Sequence, residues 1–406
     1  MIKLFAAILG GLAAFVALTV LAIFLLPPGG EGVAIFIFVV LLVVFFHELG
    51  HFATAKWFGI KVEEFFIGFG PRIWSTRRDE TEYGIKAIPA GGYVRIAGMN
   101  PFQEPPPEDR DRVFTAKPAW QRAVVLVAGS LTHFILAFVL LGVYFGAIGM
   151  PERFAPRIGA VEQRLGGRPS PASEAGLQAG DEFVAVDGRE IRDYEQFVEY
   201  TRFRAGSEIE VVVEREGERR TFRVTPVESL VEGQVVGRLG VILTPGTILE
   251  RERLGPGAAV GRAGSVMGDF VSGTFTSLGR IFGPEGLSRL GRQLFGDEPR
   301  DPARDPTGVV GAARLSGQAT AAGRLDELLF LFVAFNVFVG IMNLLPLPPL
   351  DGGHLAMVAV EKLRGGRPVD PRRVLPLTAA VVAILFVFFI SVTFLDITEP
   401  LPNPFD

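Results

Sequence analysis

Cysteine is missing from all 406 residues, which excludes a disulfide framework and any thiolate metal ligand. Histidine is nearly missing: His47, His51, His133 and His354 are the only four, each in or beside an apolar segment. A metal held by side chains must therefore draw on histidine and carboxylate. No repeat with a period of about 20–50 residues stands out. A net charge of −4 carries little information, and no nucleic-acid partner is expected. Lysine and arginine are absent from 27–32 and from the tail after Ile397, which bears on topology.

What is abundant is apolar surface. Hydrophobic residues make up 49% of the chain, enough for an integral membrane protein with room for one extra-membrane domain. About five spans are expected: 1–28, 32–58, 119–150, 327–352 and 374–396. The first is apolar apart from Lys3 and ends at Pro27-Pro28-Gly29-Gly30. It reads as a retained span more readily than as a cleaved signal peptide, being long and lacking a clear A-x-A site.

The second span carries the chemistry. Val33 to Phe46 is uncharged, then come His47-Glu48-Leu49-Gly50-His51, and apolar residues resume until Lys56. A bilayer core needs about 20 apolar residues in a helix, so the run is long enough only if the charged triplet lies inside it. An ionisable group at that depth costs on the order of 2.5–3.5 kcal/mol, which favours a functional reading. Residues four apart share a helix face, so His47 and His51 point the same way with Glu48 beside them. This is the H-E-x-x-H pattern of zinc hydrolases, in which the imidazoles ligate zinc and the glutamate is the base. Such matches also arise by chance on soluble helices, but a hydrophobic span penalises decorative charge.

Basic residues set the expected topology. The loop from 61 to 118 holds Arg72, Arg77, Arg78, Lys86, Arg95, Arg110, Arg112 and Lys117, and a second basic cluster runs from Lys362 to Arg373. Short positive loops stay cytoplasmic. The amino terminus, 59–118 and the metal end of the second span are then cytoplasmic, and 151–326 and the carboxyl tail are outside. Within 59–118, alternating residues around Gly70-Pro71 and Gly91-Gly92-Tyr93 read as strands with turns at Gly and Pro. They form a membrane-associated β-hairpin that could offer an edge to an extended substrate, or simply pack on the helices. Glu104 to Arg112 reads as a mobile, Pro-rich connector.

Residues 152–230 resemble a PDZ domain. Ala175 to Asp181 leads into a strand, Asp187-Gly188 and Glu216-Gly217 mark turns, and Asp193 to Phe203 reads as a helix. Ile158-Gly159-Ala160-Val161 is the expected edge for an added peptide strand; a steric filter over a membrane cavity is the competing role. Residues 231–326 read as an extracytoplasmic linker with amphipathic helices, in which Arg280, Arg289 and Arg292 are solvated or headgroup-facing.

The fourth span ends in Asn343-Leu344-Leu345-Pro346-Leu347-Pro348-Pro349-Leu350-Asp351-Gly352-Gly353-His354. Prolines stop the helix and leave Asp351 at the level of His47 and His51. Alone, Asp351 reads as a cap or turn residue. Beside an incomplete two-histidine site it reads as the third ligand of a catalytic zinc, with water in the fourth position.

HELGH in a span, the GGYVRIAGM stretch, one PDZ-like domain and NLLPLPPLDGGH together resemble the site-2 protease family of intramembrane zinc metalloproteases. The resemblance runs from Val33 to about Leu395. It implies zinc ligands His47, His51 and Asp351, and Glu48 as the catalytic acid/base. It also implies cleavage of single-span membrane substrates such as an anti-sigma factor or a signal-peptide remnant, in the bacterial cytoplasmic membrane and in contact with its lipids. Asn343, with the strand backbone at Gly92 and Tyr93, is a candidate holder of unwound substrate.

The chain departs from the family where Ala128-Gly129-Ser130-Leu131-Thr132-His133 replaces a Gly-Pro and an asparagine. His133 then either faces the cavity in a polar, substrate-binding role with Asn343, Gly92 and Tyr93, binds metal transiently, or is a satisfied interior histidine. Gly308-Val309-Val310-Gly311 lacks the proline of a related family segment, and span 1–28 is additional. The fold class expected is thus a multi-pass α-helical membrane protein with a cytoplasmic β-hairpin region and one extracytoplasmic PDZ-like α+β domain. The alternative function is a non-catalytic zinc-binding membrane protein or transporter. Spans one, three and five are nearly bare of ionisable residues, apart from His133 and the segment ends, which disfavours conduction.

Overall fold

The computed structural model describes residues 31–100, 106–191, 193–231, 234–302 and 304–404. The expected span 1–28 lies outside the described residues. In chain order come α1 (Glu31–Trp57), β1 (Val62–Arg78), β2 (Thr81–Ile96) and α2 (Ala119–Val143). Next are β3 (Met150–Val161), β4 (Glu182–Val186), α3 (Tyr194–Arg202), β5 (Ile209–Arg215) and β6 (Glu218–Val224). Then follow β7 (Val227–Val231), β8 (Gln234–Arg238), β9 (Val241–Glu252), α4 (Pro256–Ile281) and α5 (Pro284–Phe295). The last are α6 (Val309–Ala321), α7 (Leu325–Leu344), α8 (Asp351–Leu363) and α9 (Pro371–Thr398). Two compact units result: Gly142–Arg262, and Met1–Leu141 together with Ala263–Asp406.

Among the described residues, four helices are long and apolar enough to cross a membrane: Gly32–Trp57, Ala119–Ile148, Leu325–Leu344 and Arg372–Thr398. Their β-branched and aromatic residues would suit strands in water. In hydrocarbon, only a helix satisfies every backbone group from within one segment. The last of the four buries only 6% of its most apolar window, leaving Ile384, Phe386 and Val387 on an outward face suited to lipid.

Helices α1 and α2 meet through glycine. A Cβ on Gly50 would lie 2.5 Å from the Ala128 carbonyl oxygen, so the backbones touch only because that side chain is absent. Below this crossing, Phe52, Ala55, Ile60, Val62, Phe65, Ile96, Val125, Leu126 and Val358 form one buried cluster. It joins the end of α1 to β1, β2, α2 and α8.

The β-hairpin is folded over on itself. Its turn is at Asp79-Glu80, where Asp79 has φ 52°; Gly70-Pro71 marks a bend inside β1 and not its end. Glu64 pairs with both Arg95 and Glu82, and Ile67 with both Gly92 and Ile85. The first half of β1 therefore has partners on both sides, and Gly92–Ile96 becomes an outer strand. The connector after it is tethered, contrary to the sequence expectation. Lys61 Nζ donates to Asp109 at 2.5 Å, the Lys61 amide to the Arg112 carbonyl at 2.8 Å, and Arg112 to Glu80 at 2.6 Å.

The fourth span is shorter than the range 327–352 read from sequence. Helix α7 stops at Leu344, residues 345–350 turn the chain, and Asp351 opens a separate helix. The turn folds against Gly352 and Gly353: a Cβ on either would lie 2.2 Å from the Leu344 carbonyl oxygen or 2.4 Å from the Pro348 nitrogen. Arg289 and Arg292 are not free surface charges. Arg289 pairs with Asp305 at 2.7 Å and with Glu298, and Arg292 pairs with Glu298, which fastens the loop after α5.

The unit Gly142–Arg262 is a sheet in the order β9-β3-β4-β5-β6 with α3 against it. Asp187-Gly188 and Glu216-Gly217 are both in positive φ, the signature of type I′ hairpin turns. Asp193 caps α3 by accepting from the Gln196 amide at 2.7 Å. Two expectations fail here. Residues 241–252 are not linker: β9 pairs along β3, from Val241 with Val161 to Glu252 with Met150. For the same reason Ile158–Val161 is not a free edge, since β9 covers one side and Asp181 and Gly180 bond Ile158 on the other.

Candidate metal centre

His47, Glu48 and His51 lie on α1, Gly129 and His133 on α2, Asn336 and Asn343 on α7, and Asp351 is the first residue of α8. The i,i+4 spacing stacks the two imidazoles on one face, with Nε2 atoms 3.1 Å apart. Asp351 Oδ2 lies 3.3 Å from His47 Nε2 and 3.2 Å from His51 Nε2. The three atoms thus form a near-equilateral triangle. Ligand atoms about 2.0–2.1 Å from a tetrahedral zinc are about 3.3–3.4 Å from one another, so the triangle matches that spacing.

The surroundings fit a metal as well. Asp351 Oδ2 is buried and has no hydrogen-bond donor aimed at it. A buried carboxylate oxygen left in that state is strongly unfavourable unless a cation completes it. Gly129 leaves the space open: a Cβ there would lie 2.2 Å from His51 Nε2 and 2.8 Å from His47 Cε1. His51 Nδ1 donates to the Val125 carbonyl at 2.7 Å, which turns its Nε2 lone pair toward the triangle. His47, His51 and Asp351 are the group of metal-capable side chains found among the described residues.

Glu48 sits beside the site and faces the backbone amide of Val94 in β2. Gly92 lies against α1, where a Cβ would meet Val44 at 3.1 Å, so the outer strand runs alongside the helix that bears Glu48. The Tyr93 side chain is occupied: its hydroxyl donates to Glu64 at 2.5 Å and its ring stacks between Phe66 and Phe69. Asn343 is half-buried in the last turn of α7, immediately before the chain turns toward Asp351. His133 is buried and lies 3.1 Å from the outward nitrogen of His47, Nδ1. His354, three residues after Asp351, is outside the triangle.

Sequence reasoning missed Gly129 and Asn336. In the sequence Gly129 reads only as part of the stretch Ala128 to His133 that departs from the family pattern, not as space for the imidazoles. Asn336 could have been found as an amide within an otherwise apolar span, where polar side chains seek partners on other helices.

The chain as a whole is similar to known proteins. The model of peptidase family M50 matches residues 35–389. The zinc metalloprotease Rip1 of Mycobacterium tuberculosis is 32% identical over 405 residues, covering 91% of this chain and 98% of its own. Rip1 of Mycolicibacterium smegmatis is 32% identical over 406 residues, covering 92% and 98%. A solved PDZ domain of an SdrC-like protein from Listeria monocytogenes is 16% identical over 23% of this chain and 90% of its own. Its TM-score is 0.20, too low to carry an argument. Matched over nearly its whole length and bearing a two-histidine, one-carboxylate centre among apolar helices, this chain belongs to peptidase family M50, the site-2 protease family of membrane zinc metalloproteases.

Proposed function

We propose that His47, His51 and Asp351 hold the catalytic zinc, that Glu48 is the general acid/base, and that the substrate is a membrane-spanning segment of another protein. The convergence of one carboxylate oxygen and two imidazole nitrogens within 3.1–3.3 Å, next to Glu48, carries this reading. Bound there, zinc would lower the pKa of a water to about 7 and polarise the scissile carbonyl. Glu48 takes the proton from the attacking water and passes it to the leaving amide nitrogen.

A substrate helix has its amides paired internally and must unwind before cleavage. The outer strand Gly92–Ile96 can pair with the extended segment through its backbone, and the Asn343 amide can take up a freed backbone group. The Tyr93 side chain supports the strand rather than contacting substrate. The excess of Lys and Arg in 61–118 and 362–373 favours a site opening to the cytoplasm, with Gly142–Arg262 on the other side of a bacterial cytoplasmic membrane. A single-span protein such as an anti-sigma factor fits that geometry.

The test pairs the wild type with Glu48→Gln on a single-span substrate from the same genome, co-expressed and read by product mass. The variant should keep one zinc per chain and lose cleavage by at least about 10²-fold. Undiminished cleavage by Glu48→Gln would remove Glu48 from the mechanism.

A further inference from the structure

The two metal-facing imidazoles are oriented in different ways. His51 Nδ1 reaches a backbone carbonyl in one step, on Val125. Among the described residues, no carbonyl or carboxylate is hydrogen-bonded to His47 Nδ1. Its neighbour is His133 Nε2 at 3.1 Å, an atom that can donate or accept. Which nitrogen of His47 carries the proton is therefore decided by what holds His133.

The direction of each bond is set from Asn336 toward His47. Asn336 is fully buried on α7, and its amide nitrogen donates to the Phe332 carbonyl at 2.9 Å. That carbonyl can only accept, so the amide cannot be flipped. Asn336 Oδ1 then faces His133 Nδ1 at 3.4 Å, and an oxygen there requires a proton on Nδ1. In a neutral ring this leaves His133 Nε2 as an acceptor. His47 must then donate its Nδ1 proton to it, which bares the Nε2 lone pair toward His51 and Asp351. Each link is fixed by the one before it, starting from a backbone group.

Packing holds the chain of bonds in place. Gly340 lies on α7 one turn beyond Asn336, and a Cβ there would come within 3.1 Å of the His133 Cβ. His133 is 2% exposed, so bulk water does not compete for its nitrogens.

We infer that His133 and Asn336 are positioning residues for zinc: through Asn336–His133–His47 they fix the tautomer and ring orientation that let His47 bind the metal. This rests on the zinc reading of His47, His51 and Asp351. In this arrangement His133 holds a ligand and does not itself ligate, since the nitrogen nearest the site faces His47 Nδ1 and not the triangle.

The test measures zinc affinity of the full-length protein in detergent, stripped and then titrated against a chromophoric chelator at neutral pH. His133→Phe keeps the ring volume and removes the acceptor; it should bind zinc roughly 10–100-fold more weakly. His133→Gln restores an acceptor at similar reach and should bind close to wild type, a rescue that loss of packing would not show. Asn336→Leu, of similar size, should weaken binding while leaving His133 in place. If His133→Phe is not recovered folded, Asn336→Leu decides by the same readout. Wild-type affinity in both His133→Phe and Asn336→Leu would overturn the relay alone. Equal weakening in His133→Phe and His133→Gln would overturn it in favour of a packing role. Failure of the wild type to hold one zinc per chain would sink the metal reading and the relay with it.

Discussion

Gly129 shows how little room the centre allows. A methyl group there would occupy the space beside His51 Nε2, at 2.2 Å, and no rotamer of His51 can yield without breaking its bond to Val125. Gly129→Ala should therefore lose stoichiometric zinc and proteolysis together, as read by metal analysis of the purified protein. Normal zinc content in that variant would mean that α2 can shift away from α1 without harm. The pattern of HELGH made His47, His51 and Glu48 legible in the sequence, because i,i+4 geometry is local. Gly129 was not legible, because its significance lies in a neighbour on another helix.

At the scale of elements, α8 is what carries Asp351 to the histidines, and two features hold α8. One is the pair of close approaches at Gly352 and Gly353. The other is a two-fold bond from Arg122 on α2 to Glu361 on α8, at 2.9 and 2.6 Å, with Arg122 only 7% exposed. Glu361→Gln would leave the Arg122 charge buried and unmatched, a loss of about 3 kcal/mol. It should lower the melting temperature in detergent and weaken zinc binding in the same variant; an unchanged melting curve would remove the clamp.

The folded hairpin is fastened to the end of α1 through Glu80, which accepts from Lys56 and Arg112, each at 2.6 Å. Burial pushes the Glu80 carboxyl up, but those two donors outweigh it and hold it below its ordinary value. A group lowered on folding contributes its stability above the unfolded value, about 4.3 for glutamate, and loses it as pH falls through the folded value. Amide exchange at Lys61 and Ala97 should thus be flat, after correction for intrinsic rates, from about pH 5 to 8 and rise only below about 4. A rise between pH 5 and 7 would contradict the tether.

For the whole molecule, metal and fold are linked. A ligand that binds only the native state stabilises it by about 4 kcal/mol at a thousand times its Kd, so chelation should lower the melting temperature of the wild type and of Glu48→Gln alike. It should leave His47→Ala nearly unmoved. The unit Gly142–Arg262 has its own core and its own buried ion pair. Asp181 is fully buried and accepts from Arg215 Nε at 2.6 Å and Nη2 at 2.7 Å. Asp181→Asn should destabilise that unit by about 3 kcal/mol by stranding the guanidinium, with zinc content unchanged. Differential scanning with metal analysis on the same sample checks both halves of that statement.

The sequence by itself determined the helices, since only apolar runs of that length can satisfy their backbone in lipid. It determined the I′ turns at Asp187-Gly188 and Glu216-Gly217, where left-handed backbone selects the residues, and the ligand types, since cysteine is absent. Each of these is a property of neighbours along the chain. Tertiary structure alone decided the double pairing of β1, the addition of β9 to the sheet, and the chain of bonds from Asn336 to His47. In that last case His133 and Asn336 stand 203 positions apart. No local period encodes such a meeting. It follows from which helix faces close on one another, and those faces are chosen by glycines whose lack of a side chain has no meaning until a second helix arrives.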